Sequence, residues 1–173
     1  MKNSRHIGTY RAALSALVAA AGTAPFFVIS GVAGRKIKIT RVLVSGLTLT
    51  AVAYLSIVAS KYSTAPTGGT PVAATKVPLS SAFEAAAATL VQGYTAAPTA
   101  GTLVGEVSNL RILGQSTTAA AAGIPTVNEI GWSNEGEEPV LLSAAENVAL
   151  RFSAAPASAV TLNITVEWEE ETF

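Results

Sequence analysis

The chain has 173 residues, half of them hydrophobic and only 13% charged, with a single His and no Cys. That length sets one domain with a sizeable core as the default. The missing Cys excludes disulfides, thiol catalysis and thiolate metal sites, and the low charge density points to a surface covered by a partner or by further copies of the chain.

Net charge is zero, but the signs are segregated along the chain. Every basic residue except Arg111 and Arg151 lies at or before Lys76, and every acidic residue is a Glu at or after Glu84. The simplest expectation is that basic early strands pair with acidic late strands in one sheet. A sharper one is a subunit whose acidic face meets a neighbour's basic face. Basic residues without interleaved aromatics, in a neutral chain, make a poor footprint for nucleic acid, so none is expected as a partner.

Residues 1–22 begin with Lys2 and Arg5 and continue into an apolar run over 12–21. This is the outline of an export signal. The run is mostly Ala, too weakly apolar for export and too short to span a membrane. It is expected as an N-terminal arm packed on a neighbour, or as the first strand, with a short helix over 12–21 as a further option because Ala favours helix. The expected division is an arm over 1–24 and one β-sandwich domain over 25–173.

Residues 26–30 form a compact apolar strand after Pro25, and Gly31 and Gly34 turn the chain into the stretch 35–70. Residues 36–45 are rich in Ile and Val and read as a strand. From Leu47 to Ala59 the odd positions are apolar and the even ones mostly polar, the period of a half-buried strand. This strand is long enough to predict a bend or bulge. Ser45-Gly46 makes either a hairpin turn or a bulge in one longer strand. An antiparallel meander is the simplest topology.

Residues 62–72 (YSTAPTGGTPV) echo residues 94–104 (YTAAPTAGTLV). Pro fixes its own φ and Gly admits positive φ, so each copy is a turn closing a strand. The two form similar turns at one rim, or a pair of loops that meet a partner together.

Residues 71–81 read as a loop. Ser81 and Glu84 have capping-box spacing, which predicts a helical turn over 82–86 and then a strand to Tyr94. Further strands are expected over 104–113, 127–132, 140–142, 148–152 and 160–168. Between them lie a Thr/Ala loop (114–125) and an acidic turn (133–139), and an acidic tail ends the chain. Val160, Leu162, Ile164, Val166 and Trp168 alternate without a break, which places the last strand in the middle of a sheet. Eight to ten strands at this spacing predict an all-β fold, an antiparallel, jelly-roll-like β-sandwich.

Chemistry-bearing motifs are scarce. His6 is far from any acidic residue, so a His triad or His-rich metal site is not expected. There is no Asp-rich calcium loop and no phosphate-binding glycine loop. Paired glutamates among Glu135, Glu137, Glu138, Glu167, Glu169, Glu170 and Glu171 offer carboxylates for hydrolysis, but runs of Glu in a turn and a tail are expected as solvated charge. Asn163-Ile-Thr165 matches a glycosylation sequon but lies mid-strand. Trp132 and Trp168 are expected in packing. Neither enzymatic activity nor a cofactor or metal is expected.

The runs ITRVLVSG, LTLTAVAYLSIV, STAPTGGT, KVPLSS, YTAAPTAGTLVG, ENVALRF and VTLNITVEWEE, from about Ile37 to Glu170, resemble a group of tailed-bacteriophage virion proteins encoded among head and neck structural genes. The resemblance carries no catalytic residues. It implies an oligomeric β-sandwich building block, with a trimer favoured. The favoured role is a head decoration (cement) protein that binds the major capsid protein on the outer capsid surface, assembled in the host cytoplasm. A head-fibre, neck or tail module, structural or receptor-binding, is the alternative. The candidate partner contacts are Arg5, Tyr10 and Arg11 in the arm and Pro66, Thr67, Pro98 and Thr99 in the echoing turns.

Overall fold

The computed structural model describes residues 5–49, 53–88, 90–116, 128–131 and 140–172, and all regular structure among them is β. The strands in chain order are β1 (Arg5–Val18), β2 (Pro25–Ser30), β3 (Arg35–Leu49), β4 (Ala53–Tyr62), β5 (Thr70–Ala73), β6 (Thr75–Pro78), β7 (Val91–Ala96), β8 (Leu103–Ser116), β9 (Asn128–Gly131), β10 (Val140–Leu142), β11 (Asn147–Phe152) and β12 (Thr161–Thr172). They make two antiparallel sheets, a β-sandwich. One sheet runs β6-β1-β12-β3, with β9 and β10 in succession along the far side of β3. The other runs β5-β7-β2-β11-β4-β8. The sheets join at one corner, where Thr48 and Leu49 pair in parallel with Gln115 and Ser116.

The expected all-β sandwich is therefore observed, but not the meander. β2 pairs with β11 and β7, and β3 pairs with β12, so the turn at 31–34 carries the chain from one sheet to the other. Alternation says which side chains face inward; it does not say which strand lies alongside.

The last strand is central, as its unbroken apolar face predicts. β12 lies between β1 and β3, and Leu162, Ile164, Val166 and Trp168 are fully buried. Phe26 and Phe152 meet at 4.6 Å between ring centroids in the same core.

The long strand expected over 47–59 is divided. Residues up to Leu49 belong to β3, and β4 begins at Ala53 in the opposite sheet. Within β4 Leu55, Ile57 and Ala59 are buried as expected, but Val58 and Ser60 of the opposite parity are buried too, so the alternation holds only in the first half of the strand. Ser45-Gly46 is a bulge in one strand, not a hairpin: the β3–β12 register slips there and Gly46 has φ +63°. Asn163, the mid-strand sequon residue, sits between this bulge and a second one in β1. Its Oδ1 accepts the Ala16 N–H at 2.8 Å, and Ala16 itself has φ +51°.

Residues 5–18 are a full strand of the sheet, the second of the two expected states, and the helix over 12–21 is not formed. Tertiary pairing overrides the helical preference of Ala. The loop expected over 71–81 instead contains β5 and β6, separated only by Ala74. β5 extends one sheet beyond β7 and β6 extends the other beyond β1, so residues 70–78 cross the open side of the sandwich. The helical turn expected over 82–86 is absent. The Ala82 N–H bonds Ser80 Oγ and the Phe83 N–H bonds the Ser80 carbonyl, which makes a turn only. The expected acidic turn at 133–139, with Glu135, Glu137 and Glu138, and Trp132 lie outside the described residues, as does most of the Thr/Ala loop.

Candidate functional site

The segregated charges meet inside the sandwich's own sheets. β12 carries the late glutamates and is flanked by the basic strands β1 and β3. Arg11 Nε lies 3.0 Å from Glu167 Oε1, and Lys38 pairs with Glu171. Arg41 meets Glu129 of β9 at 2.8 Å, Lys61 meets Glu146 at 3.1 Å, and Arg151 pairs with Glu106. Most of these pairs are exposed enough that each stabilises by no more than about 1 kcal/mol. Glu167, Glu170 and Glu171 each face a cation.

One pair differs. Glu170 is fully buried, on the inward parity that runs through Trp168. Its carboxylate accepts the Ala87 N–H at 2.9 Å, the Ala88 N–H at 3.1 Å, Trp168 Nε1–H at 3.0 Å and Arg35 NH1 at 3.0 Å. Arg35 also holds Glu84 at 3.0 Å. Burial opposes its charge, but the bonds to Glu170 and Glu84 more than offset this and raise its pKa above the ordinary arginine value. The network fastens residues 84–88 across the sheet, with Phe83 packed over Gly8 and beside Tyr10. Glu170 was expected in a solvated tail. The signal that finds it is parity, because position 170 continues the series 160 to 168.

The echoing turns also meet. Thr67 and Thr99 exchange both backbone hydrogen bonds, at 3.0 and 2.8 Å. Equivalent positions lie 32 residues apart (Thr67 to Thr99, Pro66 to Pro98), and equivalent contacts recur about this bridge. Ser63 Oγ donates to the Thr102 carbonyl and Thr95 Oγ1 to the Thr70 carbonyl, each at 3.4 Å. A Cβ on Gly69 would lie 2.7 Å from the Ala96 carbonyl oxygen, and one on Gly101 would lie 1.9 Å from that of Thr64. The two copies form a local pseudo-twofold, and Gly is required in both because the other copy's backbone occupies the Cβ position. Pro66 and Pro98 are buried beneath it, while Thr67 and Thr99 are exposed. Val72 and Val104, equivalent in the echo, are both exposed beside it.

Comparison of the chain with protein-family models, with curated proteins and with solved structures finds no match. Among the described residues no group of His, Cys, Asp or Glu could hold a metal ion, and no helix is long and apolar enough to cross a membrane.

Of the candidate partner contacts, Thr67 and Thr99 stand together at the surface. Arg11 is exposed but bonded to Glu167. Tyr10, Pro66 and Pro98 are buried, so their side chains are packing groups rather than contacts. Tyr10 stacks on Trp168 at 5.8 Å between ring centroids, and its burial, reinforced by Glu170, raises its pKa. Arg5 pairs through its backbone with Thr172, and residues 5 and 67 fall on separate elements. Sequence reasoning missed Tyr54 and Arg111, which face outward on β4 and β8. The signal was the outward parity of an aromatic residue in β4.

Two predictions follow from this geometry. Gly101→Val is expected to lower stability by about 2 kcal/mol or more, because the added side chain must displace the Thr64 carbonyl. Gly105→Ala, with nothing within 4 Å of the new Cβ, serves as a near-neutral control. Thermal unfolding of both variants checks the contrast.

The second concerns Glu146. Burial pushes its pKa up, but the Ser143 N–H at 2.8 Å and Lys61 outweigh this and hold it below the ordinary glutamate value. Its stabilising contribution is therefore present above that ordinary value and is lost as pH falls through the lower folded-state value. Glu146→Gln is expected to remove at most about 1 kcal/mol at neutral pH and to flatten the acid limb of stability against pH. An unchanged acid limb would show that the carboxylate is not held this way.

Proposed function

We propose that this chain is a virion structural protein of the head decoration type, which binds the outer capsid surface and stabilises the head by bridging capsid subunits. The observation that carries the reading is the locked double turn. Its reciprocal hydrogen bonds fix Thr67 and Thr99 together at the surface before any partner arrives, with Val72 and Val104 exposed on the outer strands to either side. A preformed surface loses little entropy on docking. Thr and Val side chains suit a flat, dry contact with another protein. The seven intramolecular ion pairs use up most of the described charge within the fold, leaving contact area rather than a charged site.

Strand order supports the architecture. The series β1-β12-β3, then β9 and β10, faces β2-β11-β4-β8, which supports reading the sandwich as jelly-roll-like; jelly rolls serve in viral capsids and in lectins. The sequence resemblance supplies the phage context, and a homotrimer on a capsid threefold is the assembly proposed. Many modest contacts repeated over a lattice add through multivalency.

The test is the number of copies per virion relative to the major capsid protein, measured by quantitative mass spectrometry of purified particles. Hundreds in a fixed ratio are expected. A dozen or fewer would overturn decoration in favour of a neck, tail or fibre position. The face is tested separately. Thr67→Arg/Thr99→Arg is expected to release the protein from heads with its thermal midpoint unchanged, and full retention would exclude this rim as the docking surface.

A further inference from the structure

A cleft of about 420 Å³ lies between the outward face of β4 and β8 and the loop 153–158. This falls within the range of small-ligand sites, about 300–1,000 Å³. Tyr54 stands at its side, 65% exposed. Arg111 sits over the Tyr54 ring, its guanidinium carbon 4.6 Å from the ring centroid. In the β4–β8 register Arg111 is opposite Ser56, so tyrosine, serine and arginine share one face. Ser153 and Ser158 also line it from the loop, and Pro156 and its neighbouring alanines form an apolar wall.

Arg111 stands apart from the other arginines whose side chains are described. Arg11, Arg35, Arg41 and Arg151 each hold a glutamate, whereas Arg111 has no carboxylate among the described residues. A guanidinium held in place by stacking, with its donor fork uncommitted to any carboxylate among the described residues, is preorganised for a planar anion.

We infer that this cleft binds an acidic saccharide. Arg111 takes the carboxylate of one sugar residue, the face of Tyr54 away from Arg111 takes the apolar side of a neighbouring residue's ring, and serine hydroxyls take ring hydroxyls. A carboxylate alone would need only the arginine. The exposed aromatic surface beside a hydroxyl-lined wall is what a sugar ring uses and a simple anion does not. An acidic peptide fits less well. β4 is paired along both edges, by β11 and β8, so it offers no free strand edge for a peptide to extend. The inference stands apart from the decoration role and rests on none of the residues of the double turn.

The test is isothermal titration of the full chain with oligogalacturonate and sialyllactose, their methyl esters, and hexaglutamate. At least one acidic sugar is expected to bind, and its methyl ester to bind about tenfold or more weakly. Arg111→Gln and Tyr54→Ala are each expected to weaken binding to a similar degree with the thermal midpoint unchanged. Binding of neither acidic sugar would overturn the inference, as would binding that survives both substitutions. Loss with Arg111→Gln but not with Tyr54→Ala would reduce the site to a simple anion contact and overturn the saccharide. Hexaglutamate binding in place of the sugars would do the same.

Discussion

Glu170→Ala is expected to be among the most damaging single substitutions in the chain, lowering stability by about 3–5 kcal/mol. The carboxylate is fully buried and receives four donors, so its removal leaves the Ala87 and Ala88 N–H groups and the Trp168 indole N–H without an acceptor. Each orphaned buried donor costs about 1–3 kcal/mol, and relaxation of residues 84–88 recovers part of this. Arg35→Ala is expected to cost less, about 2 kcal/mol. The remaining carboxylate keeps its three N–H donors, and Arg35 is 23% exposed, so water replaces part of what it supplied. At this chain length 1 kcal/mol shifts the thermal midpoint by about 2–4 °C, so the two variants separate clearly in a melt. The double variant should lose less than the sum of the two, because the residues share one network. Hydrogen exchange adds a local check. The amides of Ala87 and Ala88 should lose protection in Glu170→Ala before the sheet does, since Glu170 is what fastens that segment to β12. A loss below about 1 kcal/mol, with those amides still protected, would show that the packing of Phe83 and Tyr10 holds the segment unaided.

The route to Glu170 shows what the sequence makes legible. Parity along β12 is written in the chain and holds for four apolar residues, Leu162 to Trp168; the fifth inward position is a glutamate, and a run of Glu draws attention away from it. The segregation of charge was legible too, and cross-strand pairing from β1 and β3 to β12 is its physical expression. The echo at 62–72 and 94–104 was legible as two turns. That they pair with each other was not, because nothing local in either copy requires the other. Sheet membership was the main loss. β2 and β3 adjoin in sequence but lie in different sheets, since a sandwich buries the inward faces of both sheets against each other and either placement satisfies the same alternation. β5 and β6 escaped because edge strands are mostly exposed and carry Pro71 and Pro78, which read as loop.

Removal of residues 1–18 is expected to abolish cooperative folding. An arm laid on a neighbour could be deleted with the sandwich intact, but β1 is an internal strand between β12 and β6. Tyr10, Ala12, Leu14 and Leu17 are buried. Burial of Tyr10, Leu14 and Leu17 alone contributes roughly 1.5–3 kcal/mol each. Their sum is comparable with the whole stability of a typical domain, about 5–15 kcal/mol. Deletion also uncovers one face of Trp168, strips Glu167 of Arg11 and leaves the edge of β12 unpaired, a template for aggregation. Circular dichroism and thermal unfolding of residues 19–173 decide the matter. An absent or broad transition is expected. A sharp one within a few degrees of the full chain would mean that β1 is dispensable to the sandwich, and an N-terminal arm would again be available to reach a neighbouring subunit. The expected result bears on function as well. If the truncated chain does not fold, its failure to bind capsids carries no information about contact, and the docking surface has to be sought with point substitutions such as those at Thr67 and Thr99, where the side chains are exposed and the backbone is already locked.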